Sequence, residues 1–219
     1  MTKVIVFGVG EIAEVAHIYL EHDSPFEVVA FTVDRKYKQT ENFRQLPVVE
    51  FESLVNTHPP SDFKLFIPIS FRDLNSHRAN KFYQAKELGY QMVSYVSPNA
   101  SIMPETEIGE NCLIFENNVI QPKVKIGDNS ILWSGNHIGH HTTIGKHCFI
   151  ASHAVISGHV RIGDYSFVGV NATIRDNIEI AEKNVIGAGA VILKSTKNNQ
   201  VYKGTPAPLA SVSSQDIRW

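Results

Sequence analysis

The second half of the chain carries a branched aliphatic residue at every sixth position. A six-residue period fits neither the 3.6-residue repeat of an α-helix nor the alternation of a flat β-sheet. It is typical of a left-handed parallel β-helix, in which three short strands and three corners make one triangular coil and the coils stack. The register runs without interruption through seventeen positions: Val96, Ile102, Ile108, Ile114, Ile120, Ile126, Leu132, Ile138, Ile144, Ile150, Ile156, Ile162, Val168, Ile174, Ile180, Ile186 and Ile192.

Two further positions of the repeat agree with this interpretation. The fourth position after the aliphatic residue is small or polar, which suits the inside of a narrow prism, and Cys112 and Cys148 fall in this set and are predicted to be buried. Residues eighteen apart are predicted to stack, about 4.8 Å from each other. Glycine often follows the aliphatic residue, and we expect it at tight corners that a Cβ would strain. These glycines are Gly109, Gly127, Gly139, Gly145, Gly163, Gly169 and Gly187.

The first 90 residues show a different pattern, in which short apolar runs alternate with stretches of helical spacing. The predicted strands cover residues 3–7, 26–33, 63–69 and 91–96, and the predicted helices cover residues 11–21 and 72–88. Strands that alternate with helices indicate a small parallel α/β sheet. The sequence therefore predicts an α/β, half-Rossmann-like domain over residues 1–97 and a left-handed β-helix with a C-terminal tail over residues 98–219.

A glycine turn joins the first predicted strand to the first predicted helix. Residues Gly8 to Ala13 match the pattern GxGxxA, and Asp34 ends the next strand. Gly8 and Gly10 would let a phosphate approach the positive end of the helix, and an acidic side chain can hold ribose hydroxyls or a base. The motif predicts a nucleotide site. The alternatives are a complete NAD(P) site, for which the α/β region is short, and a purely structural turn.

Composition and charge narrow the choice of partners. The net charge of −2, from 20 basic and 22 acidic residues, gives no electrostatic reason to expect nucleic acid or an anionic membrane as a partner. The first residues lack the features of a secretory signal, and no apolar run is long enough to span a bilayer, so a cytoplasmic protein is expected. Two cysteines without CxxC spacing do not predict a disulfide framework.

Histidine is concentrated in one short segment, because six of the ten histidines lie between His137 and His159. The eighteen-residue stacking rule places His140 below Gly158 and His141 below His159. An imidazole can accept a proton from an amine or a hydroxyl at neutral pH, which is what the base of an acyl transfer must do. His140 and His141 are therefore the candidate catalytic residues.

Two other interpretations of these histidines remain open. A zinc ion could be bound, as in the β-helical carbonic anhydrases, with His141, His153 and His159 as conceivable ligands. Carboxylates that could support such ligands are sparse nearby, so no metal is expected. Taken singly, His137, His147, His153 and His159 are each expected to be solvated residues on an outer face.

The combined pattern resembles the hexapeptide-repeat sugar acetyltransferases typified by the bacillosamine-pathway enzyme and the perosamine N-acetyltransferases, a group also described as sialic-acid O-acetyltransferase-like. The resemblance covers nearly the whole chain and rests on the glycine turn, the short β-helix and the segment Ser134–Gly145. It places His140 on the family's catalytic histidine and His141 where the family usually has Glu or Asp. An acidic neighbour raises the basicity of an imidazole, so either another group polarises His140 or the base is His141.

The resemblance also implies acetyl-CoA as the co-substrate, bound in the cleft between adjacent β-helices of a homotrimer. Gly158 corresponds to a position at the thioester end, and Val170 and Ala188 correspond to positions along the pantetheine arm. The segment 202–207 resembles the family's closing motif, in which Lys203 is the candidate contact for a CoA phosphate.

For the acceptor, the resemblance implies a nucleotide-linked amino sugar near Gly8, Gly10, Asp34, Phe71 and Arg72. The resulting hypothesis is N-acetylation of that sugar by direct transfer from acetyl-CoA with a histidine base, in lipopolysaccharide O-antigen biosynthesis. Sugar O-acetylation, a β-helical zinc enzyme of carbonic anhydrase type and a noncatalytic nucleotide-sugar-binding regulator are the alternatives.

Overall fold

The computed structural model describes residues 1–216, in which an α/β domain packs against one face of a triangular β-helix. The α/β domain holds a five-stranded sheet of order β3-β4-β2-β1-β5. None of the helices within residues 1–216 has the length and apolar composition needed to cross a bilayer. The elements of the domain are β1 (Thr2–Phe7), α1 (Glu11–Asp23), β2 (Phe26–Val33), β3 (Asn42–Phe43), β4 (Leu46–Glu50), α2 (Leu54–Thr57), β5 (Lys64–Phe66) and α3 (Ser76–Glu87).

The sheet of the α/β domain is parallel, as predicted, apart from one hairpin that the sequence did not predict. Strand β1 pairs in parallel with β2 and β5, and β2 pairs in parallel with β4. Strands β3 and β4 form an antiparallel hairpin whose two-residue turn, Arg44 and Gln45, has φ of 50° and 65°. Turns of this kind are usually recognised by Asn-Gly or Asp-Gly, and Arg-Gln carries no such signal.

The predicted left-handed β-helix is confirmed. Its coils consist of strands of two residues. From Tyr95–Val96 to Val191–Ile192 the strands follow at six-residue intervals and the second residue of each is the aliphatic residue of the repeat, whereas the last strand, Val201–Tyr202, lies outside this register. From Ile114 to Ile186 every one of these side chains is at most 3% exposed. The strands are β6 (Tyr95–Val96), β7 (Ser101–Ile102), β8 (Glu107–Ile108), β9 (Leu113–Ile114), β10 (Val119–Ile120), β11 (Lys125–Ile126), β12 (Ile131–Leu132), β13 (His137–Ile138), β14 (Thr143–Ile144), β15 (Phe149–Ile150), β16 (Val155–Ile156), β17 (Arg161–Ile162), β18 (Phe167–Val168), β19 (Thr173–Ile174), β20 (Glu179–Ile180), β21 (Val185–Ile186), β22 (Val191–Ile192) and β23 (Val201–Tyr202).

The coils build a prism with three faces. Face A contains β6, β9, β12, β15, β18, β21 and β23; face B contains β7, β10, β13, β16, β19 and β22; face C contains β8, β11, β14, β17 and β20. The chain runs from face A to face B to face C, so three kinds of corner alternate along the sequence. Residues 151–154 belong to corner A–B, residues 139–142 to corner B–C and residues 145–148 to corner C–A.

The corner glycines are needed for a reason other than the one predicted. None of the seven glycines that follow the aliphatic residues has a positive φ. A Cβ on Gly139 would lie 2.4 Å from backbone atoms of Ser157 and Gly158 in the next coil. Glycine is therefore required by the close approach of stacked coils and not by the backbone conformation of the corner.

The left-handed position of the repeat is the third residue after the aliphatic one, and it is mostly not glycine. From Glu105 to Lys183, its non-glycine residues have φ between 53° and 63°. Asn and His are enriched in the left-handed region relative to other non-glycine residues. The conformation accounts for four histidines spaced six apart: His141, His147, His153 and His159.

The outer surfaces of the three faces differ in chemistry. On face A, Leu113, Ile131 and Phe149 are buried in one core cluster with residues of β1, α1 and β2. Face C carries charged residues, such as the ion pair of Lys125 with Glu107 at 2.8 Å. Face B carries exposed valines and no charged strand residue: Val119, Val155 and Val191 are 41%, 42% and 61% exposed.

A buried arginine fastens the α/β domain to the β-helix. Arg78 of α3 is fully buried, and its guanidinium donates hydrogen bonds to backbone carbonyl oxygens alone. Burial lowers the pKa of Arg78 to about 10, so the group stays charged at neutral pH. An array of carbonyl dipoles therefore satisfies this buried cation in place of a carboxylate. The acceptors, at 2.9 to 3.1 Å, are Ile69, Ser70, Asn129, His147 and Cys148.

A column of polar side chains at corner C–A lies beside this arginine. Asn111 bonds both the N–H and the carbonyl of Ile67, and its Nδ2 donates to Asn129 Oδ1 at 2.7 Å. Asn129 Nδ2 lies 2.8 Å from His147 Nδ1, and Tyr83 Oη lies 3.0 Å from His147 Nε2. His147 is 1% exposed. The expectation that His147 is a solvated residue is therefore wrong, because the ring is buried and both of its nitrogens have protein hydrogen-bond partners, Nε2 in the α/β domain and Nδ1 in the β-helix.

The burial of His147 should make the stability of the protein depend on pH. Burial, reinforced by the Arg78 guanidinium, lowers the pKa of His147 from 6.5 to about 4. The unfolded chain binds this proton more readily, so the contribution of His147 to the free energy of unfolding is complete above pH 6.5 and is lost as the pH falls toward 4. We expect a loss of at most roughly 3 kcal/mol from this group.

Thermal unfolding followed by circular dichroism between pH 7.5 and pH 4.5 measures this effect. The His147→Asn variant should lose less stability on acidification than the wild type, because the Asn side chain binds no proton in this pH range. Asn also fits the backbone at this position, since Asn111 and Asn129 have the same left-handed conformation. His153→Asn is the matched control, since His153 has the same conformation but is exposed. Equal acid sensitivity in the His147 and His153 variants would show that His147 is not the titrating group.

Candidate functional site

The candidate catalytic histidines lie together at corner B–C. His140 and His141 follow Gly139 in one coil, and His159 lies in the next. The rings of His141 and His159 stack, with centroids 4.7 Å apart and planes inclined by 13°. The ring of His140 stands at 86° to that of His159, with centroids 5.0 Å apart. The predicted stacking of these residues is confirmed.

The imidazole of His140 lies on the outside of the prism, against Gly158 of the next coil. A Cβ on Gly158 would lie 2.9 Å from Cε1 and Nε2 of the His140 ring, so a larger residue would displace the ring. The backbone is fixed on both sides: the His140 N–H donates to Gln121 Oε1, and the His140 carbonyl accepts from the His159 N–H, each at 2.9 Å. An exposed imidazole is thus held in a defined position over a glycine.

His141 provides a hydrogen-bonding partner for His140. The two Nδ1 atoms are 3.1 Å apart, and at this distance one ring donates and the other accepts. Loss of hydration, with the neighbouring rings of His159 and His140 as the next causes, lowers the pKa of His141. The lowered pKa favours the neutral form of His141, which can accept the hydrogen of His140 Nδ1. This leaves the Nε2 lone pair of His140 free to accept a proton.

The same three histidines could hold a metal. His140, His141 and His159 each offer a nitrogen atom, and these atoms all lie within 4.8 Å of one another. The ligand set expected for a zinc enzyme, His141 with His153 and His159, is wrong. His153 lies at corner A–B, where its ring packs against Gly135.

The predicted acetyl-CoA residues fall on two different corners. Gly158 lies with His140 at corner B–C, whereas Val170 and Ala188 occupy equivalent places in stacked coils at corner A–B. Lys203 lies near Ala188, because a Cβ on the next residue, Gly204, would collide with the Ala188 carbonyl. Face B separates the two groups, so a single chain does not join them into one site.

The glycine turn has the predicted strand-turn-helix geometry. Gly8 has a φ of +108°, which favours glycine, and its N–H donates to the Thr32 carbonyl at 2.8 Å. Gly10 precedes the first residue of α1, and a Cβ placed on it would meet no atom within 4 Å other than those of its two chain neighbours. The space beside Gly10, at the N-terminus of α1, is therefore open.

Asp34 is not a free acidic group. Its carboxylate is buried and forms an ion pair with Lys81 of α3, a residue that the sequence analysis missed. A lysine in a helix is usually solvated, and nothing in its spacing marks it as buried. The ion pair borders a surface cavity of about 630 Å³, lined by Asp34, Lys36, Phe51, Glu52, Lys81, Gln84, Glu87 and Leu88. Gly8 and Gly10 do not line this cavity.

Phe71 and Arg72 lie over face A. The ring of Phe71, which is 49% exposed, meets those of Phe149 and Phe167 with centroids 5.1 and 4.9 Å apart. Arg72 is exposed, with its Nε 3.9 Å from Asp73 Oδ2. Corner B–C is the edge of the prism opposite face A. Within one chain, Phe71 and His140 therefore lie on opposite sides of the β-helix.

Three solved structures show the same architecture along nearly their whole length. PerB from Caulobacter crescentus, in complex with CoA and GDP-perosamine, is 23% identical, with a TM-score of 0.81 and coverage of 95% of this chain and 97% of that chain. The acetyltransferase domain of PglB from Neisseria gonorrhoeae FA1090 is 23% identical, with a TM-score of 0.80 and coverage of 95% and 100%. WeeI from Acinetobacter baumannii AYE is 22% identical, with a TM-score of 0.75 and coverage of 93% and 94%.

At these identities the similarity establishes the fold, and it confirms the resemblance to hexapeptide-repeat sugar acetyltransferases at that level. A search of curated protein sequences found no match. The model of a protein family described as the GMPPB C-terminal domain matches residues 91–201. This segment is just over half of the 219 residues and contains most of the β-helix. The chain therefore belongs to the GMPPB C-terminal domain family.

Proposed function

We propose that the protein is an acetyl-CoA-dependent N-acetyltransferase that acts on a nucleotide-linked amino sugar. The observation that carries the proposal is the exposed imidazole of His140, held over Gly158 with its Nδ1 3.1 Å from Nδ1 of His141. The fold supports it, because PerB, whose structure contains CoA and GDP-perosamine, shares both domains.

In this proposal the acetyl group moves directly from the thioester to the sugar amine. The neutral amine adds to the thioester carbonyl while Nε2 of His140 accepts its proton. A backbone N–H at Gly158 stabilises the tetrahedral oxyanion, which then collapses and expels the CoA thiolate. A covalent cysteine intermediate is not favoured, because burial raises the pKa of Cys112 to about 11 and that of Cys148 to about 12.

His141 acts in this scheme as a positioning residue. By accepting the hydrogen of His140 Nδ1, it fixes the tautomer in which Nε2 is the base. An aspartate or glutamate in its place would add a negative charge and stabilise the imidazolium. A neutral histidine supplies the orientation without that charge.

The complete site requires more than one protomer. In a homotrimer whose protomers place face B toward the threefold axis, corner A–B of one protomer adjoins corner B–C of the next. This arrangement joins Val170, Ala188 and Lys203 to the neighbour's His140 and Gly158, and it also brings one protomer's Phe71 side to that histidine. The exposed valines of face B suit such an interface, whereas the charged face C suits solvent.

Replacement of the proposed base should abolish most turnover. His140→Asn should lower kcat by roughly 10²- to 10⁴-fold, because general-base catalysis contributes about that factor. The assay measures release of free CoA thiol with a panel of UDP-, dTDP- and GDP-linked amino sugars, beside the matching sugars that carry a hydroxyl in place of the amine. His22→Asn, at an exposed position near the C-terminal end of α1, should keep the wild-type rate.

An unchanged rate in His140→Asn would show that another residue is the base. Thiol release with the hydroxyl sugars alone would show that the reaction is O-acetylation and not N-acetylation. If no acceptor gave thiol release, the proposed function would be rejected.

A charge on face B should separate the protomers. Val155→Glu would place carboxylates around the threefold axis, where their repulsion opposes assembly, and it should give monomers without activity. Thr143→Glu, at the equivalent strand position on the charged face C, is the control and should keep the wild-type oligomer. Sedimentation velocity measures both variants. A fully active wild-type monomer would contradict the shared site.

An acidic residue at position 141 should add a negative charge beside the base and change the pH dependence of the reaction. In His141→Asp the carboxylate favours the imidazolium form of His140, and we expect the acidic limb of the pH profile of kcat/KM to move upward by about one pH unit or less, since the pair is exposed. His141→Asn, which adds no charge, is the control. A downward movement in His141→Asp, or the same upward movement in both variants, would contradict the assigned role.

A further inference from the structure

We propose that His140, His141 and His159 form a binding site for one divalent transition-metal ion such as Zn²⁺, and that the bound ion blocks acetyl transfer by occupying the His140 imidazole. The second part rests on the proposed function. The first part stands on the cluster alone.

The three side chains offer the ligands and the spacing that zinc requires. Tetrahedral zinc with nitrogen ligands at 2.0–2.1 Å places those nitrogens about 3.3 Å apart. The Nδ1 atoms of His140 and His141 are 3.1 Å apart, and all three candidate nitrogens lie within 4.8 Å of one another. Small rotations of these exposed rings would bring the three nitrogens to the separation that a zinc ion requires. The fourth position would face solvent and could hold water.

The backbone of the cluster is fixed before any ion binds. His141 and His159 both have the left-handed conformation, with φ of 60° and 59°. The N–H of His141 donates to the Pro122 carbonyl at 3.1 Å, and that of His159 donates to the His140 carbonyl at 2.9 Å. Each of the three residues is thus tied to an adjacent coil by its own backbone. A preorganised set loses little conformational freedom on binding.

The surroundings of the cluster do not prevent a cation from binding. Lys123 occupies the place below His141 in the same column of left-handed residues, and its Nζ lies 3.8 Å from Glu105 Oε2. The acidic partner offsets the charge of the lysine. An ion at the histidines would replace the hydrogen shared by His140 and His141, and the two Nδ1 lone pairs would then point at the metal.

Metal occupancy and proton acceptance by His140 exclude each other in this geometry. An imidazole whose Nδ1 binds a metal no longer donates that hydrogen to His141, and the positive charge of the ion lowers the basicity of the remaining nitrogen. A neutral imidazole that binds a metal through Nδ1 carries its hydrogen on Nε2, so the lone pair that would accept the amine proton is no longer available. Zinc is therefore expected to inhibit transfer reversibly.

The test uses untagged, full-length protein freed of metal with a chelator. Calorimetric titration with Zn²⁺ measures stoichiometry and affinity, and absorption spectra of the Co²⁺-loaded protein report tetrahedral nitrogen coordination. Wild-type protein should bind one ion per chain. His159→Asn removes one ligand at a position where Asn fits the backbone, as at Asn171 and Asn177, and should bind at least tenfold more weakly.

His22→Asn is the matched control, because it makes the same substitution at an exposed histidine near the C-terminal end of α1, outside the β-helix. It should keep the wild-type affinity for Zn²⁺. In the thiol-release assay, Zn²⁺ should inhibit the wild type and His22→Asn, and a chelator should restore the rate. The rate of His159→Asn, compared with its own metal-free rate, should not fall when Zn²⁺ is added.

Absence of stoichiometric binding, or equal affinity in the wild type and His159→Asn, would overturn the metal site. Inhibition that persists in His159→Asn would overturn its link to catalysis. If the metal-free wild type transferred no acetyl group, the proposed function and the inhibition would fall together, whereas the titration would still decide the metal site.

Discussion

Hydrogen bonding between stacked coils is the constraint on which the architecture of the site depends. From β6 to β19, each strand pairs in parallel with the strand eighteen residues later, as Val119 with His137 and His137 with Val155. A side chain at a corner therefore has a neighbour directly above it, about one strand spacing away. This relation places the ring of His140 over Gly158 and stacks His141 on His159. The hydrogen bonding of the backbone thus determines how the histidine rings of the site are arranged.

The different coverings of the three faces determine how such a prism can be used. The α/β domain covers face A, where Arg78 and the column through His147 satisfy polar groups that the contact buries. Charged residues keep face C in solvent, and face B presents valines. The histidine corner lies opposite the face of the β-helix that the α/β domain of its own chain covers. The same packing that stabilises the protomer therefore leaves the proposed site incomplete until a second protomer supplies the other wall.

Much of the fold could be predicted from the sequence, because the six-residue aliphatic register excludes other folds and the strand-turn-helix pattern around Gly8 is local. The missing parts depend on distant contacts. Arg78 and Lys81 are ordinary helical cations in the sequence, and their burial depends on carbonyls and a carboxylate that only the folded chain brings near them. The role of His147 depends equally on Asn129 and Tyr83. Of the candidate site, the histidine corner was predictable, whereas the separation of Gly158 from Val170 required the prism itself.

The left-handed position of the repeat has a consequence for how chemistry can arise on this scaffold. Asn and His both tolerate that conformation, so the exchange of one for the other should disturb the coil little. Every corner then offers a place where an imidazole can be gained or lost without rebuilding the core, and two gains eighteen residues apart create a stacked pair. New ligand sets could therefore arise in an already stable protein by single neutral steps, before selection acts on them.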